Sequence, residues 1–366
     1  MDPAAVNWNV TIDDFDSILT YDDQSVWITP DPSVPNFDPT NSPWLRGTFH
    51  QTTTKGASVS LNITGPALYI YGSTGPAFGS YEVQIDSTVL RYSAYSETSK
   101  NVSTLLFAAS NLTFANHNVV LRNIGAQVDA GDKGGDGFLL DYIQSTIQLA
   151  PAGSTVKNVT FEETDPAINY TGVWGHNTSP AFSGGGSTFT SGDGASFSFS
   201  FHGSAIYVLG DKKNDHRLYS VVLDDQPAVT LNGISGCGGA FGLTCEQQAP
   251  SIKYLASNLD GSEHKLTLIN HANVNTSFFD LDSIVVTVPS QYAPRQLASG
   301  SSSPFTNTTA SSPTTSSTLS ATDANTTSGP GSNTSAALSL FSTMTNPILF
   351  LAFTLLFLFR TSTRGH

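Results

Sequence analysis

Three aspartates in a short glycine-rich stretch are the residues of this sequence that most resemble a cation-binding site. Asp129, Asp132 and Asp136 lie among four glycines between residues 129 and 137. Carboxylate oxygens on flexible backbone are ligands that Ca²⁺ accepts, but the spacing is not that of an EF-hand loop and Lys133 adds a positive charge. We therefore expect a solvated turn in preference to a metal site, and no cofactor.

Three tryptophans are the candidate ligand-binding residues. A flat aromatic ring covers the C–H groups of a sugar, while amides and carboxylates bind its hydroxyls. Trp44 follows a proline-rich stretch and is expected to be exposed. Trp27 and Trp174 occupy similar places in the two halves of the chain, which also suits core positions. The sequence leaves both interpretations open for that pair.

Motifs of common enzyme classes are missing from the chain. There is no HExxH, GxSxG, GxGxxG or P-loop pattern. The six glutamates are scattered, and no histidine has a nucleophile beside it in sequence. The sequence therefore predicts no catalytic residues and a protein that is not an enzyme. Glycoside hydrolysis by two carboxylates stays an alternative.

The chain has two cysteines, Cys237 and Cys245, in a glycine-rich segment. We expect them to form a disulfide, because closing a loop of about nine residues stabilises a fold by roughly 2 to 3 kcal/mol. Two free thiols are the alternative if the domain lies in the cytosol.

Eleven Asn-x-Ser/Thr sequons predict N-glycosylation and favour a secretory route. Their asparagines are Asn9, Asn62, Asn101, Asn111, Asn158, Asn169, Asn177, Asn275, Asn307, Asn325 and Asn333. The N-terminus lacks the basic start and apolar run of a secretory signal, so an incomplete gene start or a cytosolic globular part stays open.

An internal repeat organises the first 290 residues. Residues 56–63 align without a gap on residues 194–201, and the tetrapeptide at 109–112 is identical to that at 256–259. A period near 140 indicates a duplicated domain. Within the repeat, phenylalanine alternates with serine from Ser196 to Phe201, which places the apolar residues on one face of a strand.

The chain is therefore predicted to be all-β, with two tandem jelly-roll β-sandwich domains followed by a disordered stalk and a hydrophobic segment. The predicted divisions are a first sandwich at 1–150, a second at 151–290, a Ser/Thr-rich stalk at 291–335, a hydrophobic segment at 336–359 and a short basic tail at 360–366. The hydrophobic segment is either a membrane-spanning helix or a lipid-anchor signal.

The Gly-Ala-Ser strand, the Ala-x-Tyr-x-x-Gly strand, the Tyr-x-Val-x-x-Asp strand and the terminal Leu-Asp-x-Ile strand resemble those of galactose-binding-domain-like jelly rolls. The tandem pair with its stalk and apolar end is similar to surface proteins of mushroom-type fungi, mostly of unassigned function. The resemblance covers about residues 1–290. It implies ligand binding by loops at one end of the sandwich, but no motif here matches closely enough to transfer a residue.

The net charge of −14 and the pI near 4.7 exclude a protein that binds nucleic acid by bulk attraction. The sequence predicts a non-enzymatic, membrane-anchored protein of the cell surface, with extracellular β-domains that bind glycans weakly. The alternative outside binding is a structural or adhesion protein of the cell wall without its own ligand.

Overall fold

A computed structural model describes residues 4–235, 247–272 and 277–293, with residues 247–249 described by their backbone alone. The predictions for the Cys237–Cys245 disulfide, for the hydrophobic segment and basic tail, for nearly all of the stalk and for the sequons at Asn275, Asn307, Asn325 and Asn333 lie outside these residues. Within the described ranges, no helix has the length and apolar character needed to cross a bilayer.

The first half of the chain forms ten strands. They are β1 (Val6–Asp13), β2 (Thr20–Tyr21), β3 (His50–Thr52), β4 (Ser58–Thr64), β5 (Ala67–Gly72), β6 (Ser80–Ile85), β7 (Thr88–Ser93), β8 (Thr104–Ser110), β9 (Asn116–Gly125) and β10 (Phe138–Ala150). Short 3₁₀ turns lie at Gln24–Val26, Leu45–Gly47 and Val128–Ala130.

The second half forms twelve strands and one 3₁₀ turn, Ser183–Gly185. The strands are β11 (Val156–Glu162), β12 (Ile168–Thr171), β13 (Gly175–Thr178), β14 (Gly186–Thr190), β15 (Ser196–Phe201), β16 (Ala205–Lys212), β17 (Leu218–Leu223), β18 (Val229–Asn232), β19 (Gln247–Ser257), β20 (His264–Asn270), β21 (Phe279–Leu281) and β22 (Ser283–Pro289).

The sheets repeat the same strand order in both halves. The order β1-β10-β5-β8 in the first half corresponds to β11-β22-β16-β19 in the second, and β2-β4-β9-β6-β7 corresponds to β12-β15-β20-β17-β18. All pairings between these strands are antiparallel. The all-β prediction with two tandem sandwiches is confirmed. We refer to the halves as the first and second sandwich.

Alternating side chains build each core, as the sequence pattern predicts. In β15 the side chains of Phe197, Phe199 and Phe201 are buried, and the serines between them face outward. In β4 the residues Val59 and Leu61 are buried in the same way. Since successive residues of a strand point to opposite faces, this alternation gives each sheet one apolar side that packs on its partner sheet.

Matched polar contacts support the duplication. His117 Nδ1 lies 2.8 Å from Asp86 Oδ2, and His264 Nδ1 lies 2.9 Å from Asp224 Oδ2 at the corresponding place. Both aspartates have a φ of 54°, in the left-handed region that aspartate adopts more readily than most residues. The two sandwiches therefore share turn geometry as well as strand order.

The two sandwiches pack against each other. Ala205, Tyr207 and Ile252 of the second sandwich belong to the same buried cluster as the core of the first. The backbone contributes as well, because the Ile18 amide donates to the Ile252 carbonyl at 3.3 Å. The outer face of the sheet that contains β16 and β19 is thus covered by the first sandwich.

Candidate functional site

The outer face of the β1-β10-β5 sheet carries a group of aromatic and amide side chains, which we call the tyrosine face. Its members are Tyr69 and Tyr71 on β5, Tyr142 and Gln144 on β10, and Thr11 on β1. Each retains solvent exposure, whereas the residues that alternate with them, such as Ile70 and Ile143, are buried. Strand alternation therefore places all five on the side of the sheet that faces away from the core.

Strand register brings these side chains together. Tyr142 lies opposite Tyr71, and Gln144 lies opposite Tyr69. The rings of Tyr71 and Tyr142 stack with centroids 4.3 Å apart and an interplanar angle of 15°. The Gln144 amide donates to Thr11 Oγ1 at 3.3 Å. The result is a pair of stacked tyrosine rings next to amide and hydroxyl groups, side-chain types that sugar recognition uses.

The corresponding face of the second sandwich is used differently. Tyr207 lies opposite Val285, as Tyr69 lies opposite Gln144 in the first sandwich. Leu209 lies opposite Ser283, as Tyr71 lies opposite Tyr142. Tyr207 is buried, and Leu209 and Val285 pack against the core of the first sandwich. One copy of this face therefore holds the two sandwiches together, while the other copy stays open to solvent.

Of the two interpretations that the sequence left open for Trp27, the structure supports the core position, because its ring is buried in the first sandwich. Only 3% of its surface is exposed. The ring contacts Tyr21 at 5.1 Å, His50 at 6.5 Å and Phe138 at 6.4 Å between centroids, in edge-to-face arrangements. Packing on three aromatic neighbours leaves no face of this ring for a ligand.

Trp44 and Trp174 are half-buried, and they lie in different sandwiches. Trp44 packs edge-on against Phe49, with centroids 5.4 Å apart. Trp174 packs on Tyr170 at 4.8 Å, and its Nε1–H donates to the Thr171 carbonyl at 3.0 Å. A ligand-binding role for these two rings stays a prediction.

The glycine-rich acidic loop uses its carboxylates within the protein. Asp132 is buried and its Oδ2 accepts from Ser80 Oγ and from the Gln127 amide, each at 2.8 Å. Asp136 forms an ion pair with Lys55 at 3.1 Å. Asp129 is exposed. Among the described residues, no group of three acidic, histidine or cysteine side chains has the geometry to hold a metal ion.

In each sandwich, the side chain of a buried aspartate accepts a hydrogen bond from the backbone amide of the first residue of a 3₁₀ turn. Asp141 Oδ1 accepts from the Leu45 amide at 2.9 Å, and Asp282 Oδ1 accepts from the Ser183 amide at 2.8 Å. Burial raises the pKa of Asp141 to about 6 and the pKa of Asp282 to about 7. The hydrogen bond from the Ser183 amide lowers the pKa of Asp282 and so opposes part of its rise. Ser183 Oγ also donates to Glu162 Oε1 at 2.9 Å, so two carboxyl groups share one turn in the second sandwich.

A buried Asp–His pair lies in the first sandwich. His50 Nδ1 is 2.6 Å from Asp14 Oδ2, and Gln24 Nε2 is 2.9 Å from His50 Nε2. Burial holds the pKa of His50 well below its usual value, so the ring is neutral. Because the Gln24 amide occupies Nε2, this histidine serves to order buried side chains and has no free nitrogen for a nucleophile.

Charged side chains are also buried where the sandwiches meet. Asp16 Oδ1 accepts from the Ile252 amide at 2.8 Å and lies 3.9 Å from Arg46 Nη1. Lys212 is buried with its Nζ 5.3 Å from the centroid of the Phe15 ring. Burial lowers the pKa of Lys212 to about 8, while Asp16 opposes that shift. Removal of one of these buried groups would leave its partner uncompensated at the interface.

No family model matches the chain. A curated relative, the A type blood alpha-D-galactosamine galactosaminidase of Flavonifractor plautii, is 23% identical over 250 residues, which are 68% of this chain and 21% of that protein. The chain therefore spans about a fifth of that relative. A family 35 carbohydrate-binding module from Clostridium thermocellum aligns with a TM-score of 0.26 and 14% identity, covering 35% of this chain and 98% of the module. A family two carbohydrate esterase from Cellvibrio japonicus aligns with a TM-score of 0.28 and 16% identity, covering 39% of this chain and 37% of the esterase.

The match to the curated relative contradicts one prediction from the sequence. The motif search predicted a protein without enzymatic activity, whereas the relative is named as a galactosaminidase. A search for short nucleophile and metal motifs misses glycoside hydrolases, since two carboxylates far apart in sequence suffice for their chemistry.

Proposed function

We propose that this chain recognises glycans, and that the tyrosine face of the first sandwich is the surface that binds them. The stacked rings of Tyr71 and Tyr142 cover the apolar side of a sugar, and the Gln144 amide and Thr11 hydroxyl bind its hydroxyl groups. The observation that carries the proposal is the open state of this face, because the duplicate face is buried against the first sandwich.

The curated relative supports the same class of ligand, since it is named for an activity on a galactosamine-containing blood-group structure. The binding face carries no charged side chain among its five members, so we expect it to prefer neutral glycans. A single open sheet face gives modest affinity, because it buries one side of the ligand only.

A glycan array probed with the full chain tests this proposal. We expect retention on neutral glycans and loss of most of the signal in Tyr142→Ala. The matched control is Tyr95→Ala, which removes a half-buried tyrosine of the first sandwich outside the tyrosine face. Equal signals for the two variants, or no signal for the unmodified chain, would sink the proposal.

A second candidate function is glycoside hydrolysis in the second sandwich, which the name of the curated relative favours. There Asp282, with a pKa of about 7, is held beside Glu162 by the amide and hydroxyl of Ser183. A carboxylic acid with a raised pKa next to a second carboxyl group is the arrangement that glycosidases use for acid catalysis. Asp282 is fully buried, so in this proposal the turn at Ser183 opens before Asp282 donates the proton, with Glu162 as its partner.

Release of nitrophenol from a nitrophenyl α-galactosaminide by the full chain tests the second candidate. We expect Asp282→Asn to abolish the release, since an amide cannot donate the proton. The matched control is Asp141→Asn, which changes the corresponding carboxyl of the first sandwich and leaves the release intact. Release that is absent from the unmodified chain, or equal in both variants, argues against hydrolysis at this site.

We also propose that the protein is displayed at a cell surface, with the segment at 336–359 as its anchor. The seven sequon asparagines within the described ranges are all exposed, which leaves room for glycans. Fractionation of cells that express the full chain, before and after deletion of 336–359, tests the anchor. An unchanged distribution between soluble and membrane fractions contradicts it.

A further inference from the structure

A cleft between the two sandwiches has a volume of about 550 Å³. Strands β4 and β9 of the first sandwich form one wall, and the β17–β18 hairpin and β19 of the second form the other. The volume falls in the range of roughly 300 to 1,000 Å³ that is typical of ligand pockets. Among the described residues that line this inter-sandwich cleft, none has a charged side chain.

The lining suits a neutral carbohydrate. The exposed amides of Asn116, Asn118 and Gln226 offer donors and acceptors for hydroxyl groups. Pro227 and Leu255 add apolar surface for the C–H faces of a sugar ring. Apolar walls with a few polar groups are the usual composition of a site for a small organic ligand.

One sequon lies inside this cleft. Asn62, Ile63 and Thr64 lie on β4 and all three line the cleft. Asn62 is exposed, and its Oδ1 accepts from Asn118 Nδ2 at 3.3 Å. This hydrogen bond occupies the oxygen and leaves the Asn62 nitrogen, within the part of the chain that is described, available for modification.

The other sequons in the described ranges lie away from the cleft. Asn9 and Asn158 occupy corresponding positions on outer sheet faces, where their Oδ1 atoms accept from the hydroxyls of Thr146 and Thr287 at 2.7 and 2.8 Å. Asn177 lies on the exposed strand β13. The placement of Asn62 therefore differs from that of the remaining sites.

We infer that Asn62 carries an N-linked glycan and that this glycan occupies the inter-sandwich cleft, covering its neutral lining. In the modification, an oligosaccharide is transferred from a lipid diphosphate donor. The bond from Asn62 Nδ2 to the sugar C1 forms, the bond from C1 to the diphosphate oxygen breaks, and the amide loses one proton. This inference rests on the proposed secretory route and not on glycan binding by the tyrosine face, which is a different surface.

The first test uses the full chain secreted from a eukaryotic host, with glycopeptide mass spectrometry of each site. We expect Asn62 to be occupied. From the native protein, a peptide N-glycosidase should release this glycan about ten-fold or more slowly than the glycan on Asn177, because the seated sugar is reached only when the cleft opens. After denaturation both sites should react alike. An unoccupied Asn62, or equal rates from the native protein, overturns the inference.

The second test compares Thr64→Ala, which destroys the sequon, with Thr64→Ser, which keeps it. Hydrogen exchange of the backbone amides in the β17–β18 hairpin is the readout. We expect exchange to be faster in Thr64→Ala than in Thr64→Ser, because the hairpin loses the sugar that covers it. Equal exchange in the two variants means that a glycan on Asn62 does not contact the hairpin, and it contradicts the inference.

Discussion

Tyr71 and Tyr142 lie 71 residues apart in the chain and stack face to face, with ring centroids 4.3 Å apart, on a sheet face that is open to solvent. At the corresponding positions of the second sandwich, Leu209 and Ser283 face each other in the same register, on a face that packs against the first sandwich. The duplicated surface thus has two different roles. One copy joins the sandwiches, and the other copy leaves its aromatic rings accessible to solvent.

Replacement of Asp282 by Asn should change the pH dependence of stability. The folded-state pKa of Asp282 is about 7 because of burial, above the ordinary value of 3.8, so the folded protein binds this proton more tightly than the unfolded chain does. Stability from this group is therefore present below about pH 4 and falls as the pH rises to about 7. The difference corresponds to at most about 4 kcal/mol.

We expect Asp282→Asn to remove this decline, since the asparagine side chain still accepts from the Ser183 backbone amide but cannot ionise. Urea unfolding of both proteins at pH 4, 5.5, 7 and 8 measures the effect. Asp141→Asn is the matched control. It should remove a smaller decline in stability, one that is complete near pH 6. If the unmodified chain and Asp282→Asn lose stability in parallel, Asp282 is not the titrating group.

Asp16 is predicted to hold the two sandwiches together. Its carboxylate accepts from the amides of Ile252, in the other sandwich, and Asp13, at 2.8 and 2.9 Å, and it lies near Arg46. Asp16→Ala leaves these buried groups without their partner and should cost about 3 to 5 kcal/mol. Denaturant unfolding measures the loss, and calorimetry should show the single transition separating into two.

Asp165→Ala is the control for that experiment, because Asp165 follows β11 as Asp16 follows β1. Its carboxylate accepts from the Ala167 amide at 2.9 Å within its own turn, so its removal should cost only about 1 kcal/mol. Similar losses from the two variants would show that Asp16 acts only within its own sandwich.

Asn123 and Asn270 are predicted to be equivalent structural residues. Asn123 is fully buried, and its Nδ2 donates to the carbonyls of Thr54 at 3.1 Å and Asp136 at 2.8 Å. Asn270 makes the matching pair of contacts in the second sandwich at 3.2 Å each. Either residue changed to alanine should lose about 2 to 4 kcal/mol, since two carbonyls are left unpaired.

The free energy of unfolding in urea measures both variants. Asn118→Ala serves as the control, because Asn118 is exposed on the same strand as Asn123, and its loss should stay within about 0.5 kcal/mol. If Asn123→Ala loses no more stability than Asn118→Ala, the assignment of Asn123 as a bridge between two buried carbonyls is contradicted.

The sequence predicted those parts of the fold that depend on local pattern. Alternation of phenylalanine and serine in β15 gave the strand and its buried face, because a strand has a side-chain period of two. The alignment of residues 56–63 with 194–201 indicated the duplication, and the structure places His117 and His264 against equivalent aspartates. These features are encoded within a few residues of one another.

The candidate site could not be read in the same way. Tyr71 and Tyr142 become neighbours only through the pairing of β5 with β10, and single-sequence reasoning does not fix that register. The sequence left open whether Trp27 is a core or a binding residue, and the aromatic neighbours that bury it include His50 and Phe138 from other segments of the chain. A difference at aligned positions, tyrosine in one half against leucine and serine in the other, is the signal that points to the face.

The measurement that tests the central claim most directly is a calorimetric titration of the full chain with a neutral glycan that it retains on an array. Tyr71→Phe keeps the stacked ring on Tyr142, and Tyr71→Ala removes it. Our account predicts that the phenylalanine variant binds with nearly unchanged affinity and that the alanine variant loses about ten-fold or more, or roughly 1.4 kcal/mol. Equal affinities for Tyr71→Ala and the unmodified chain would contradict it.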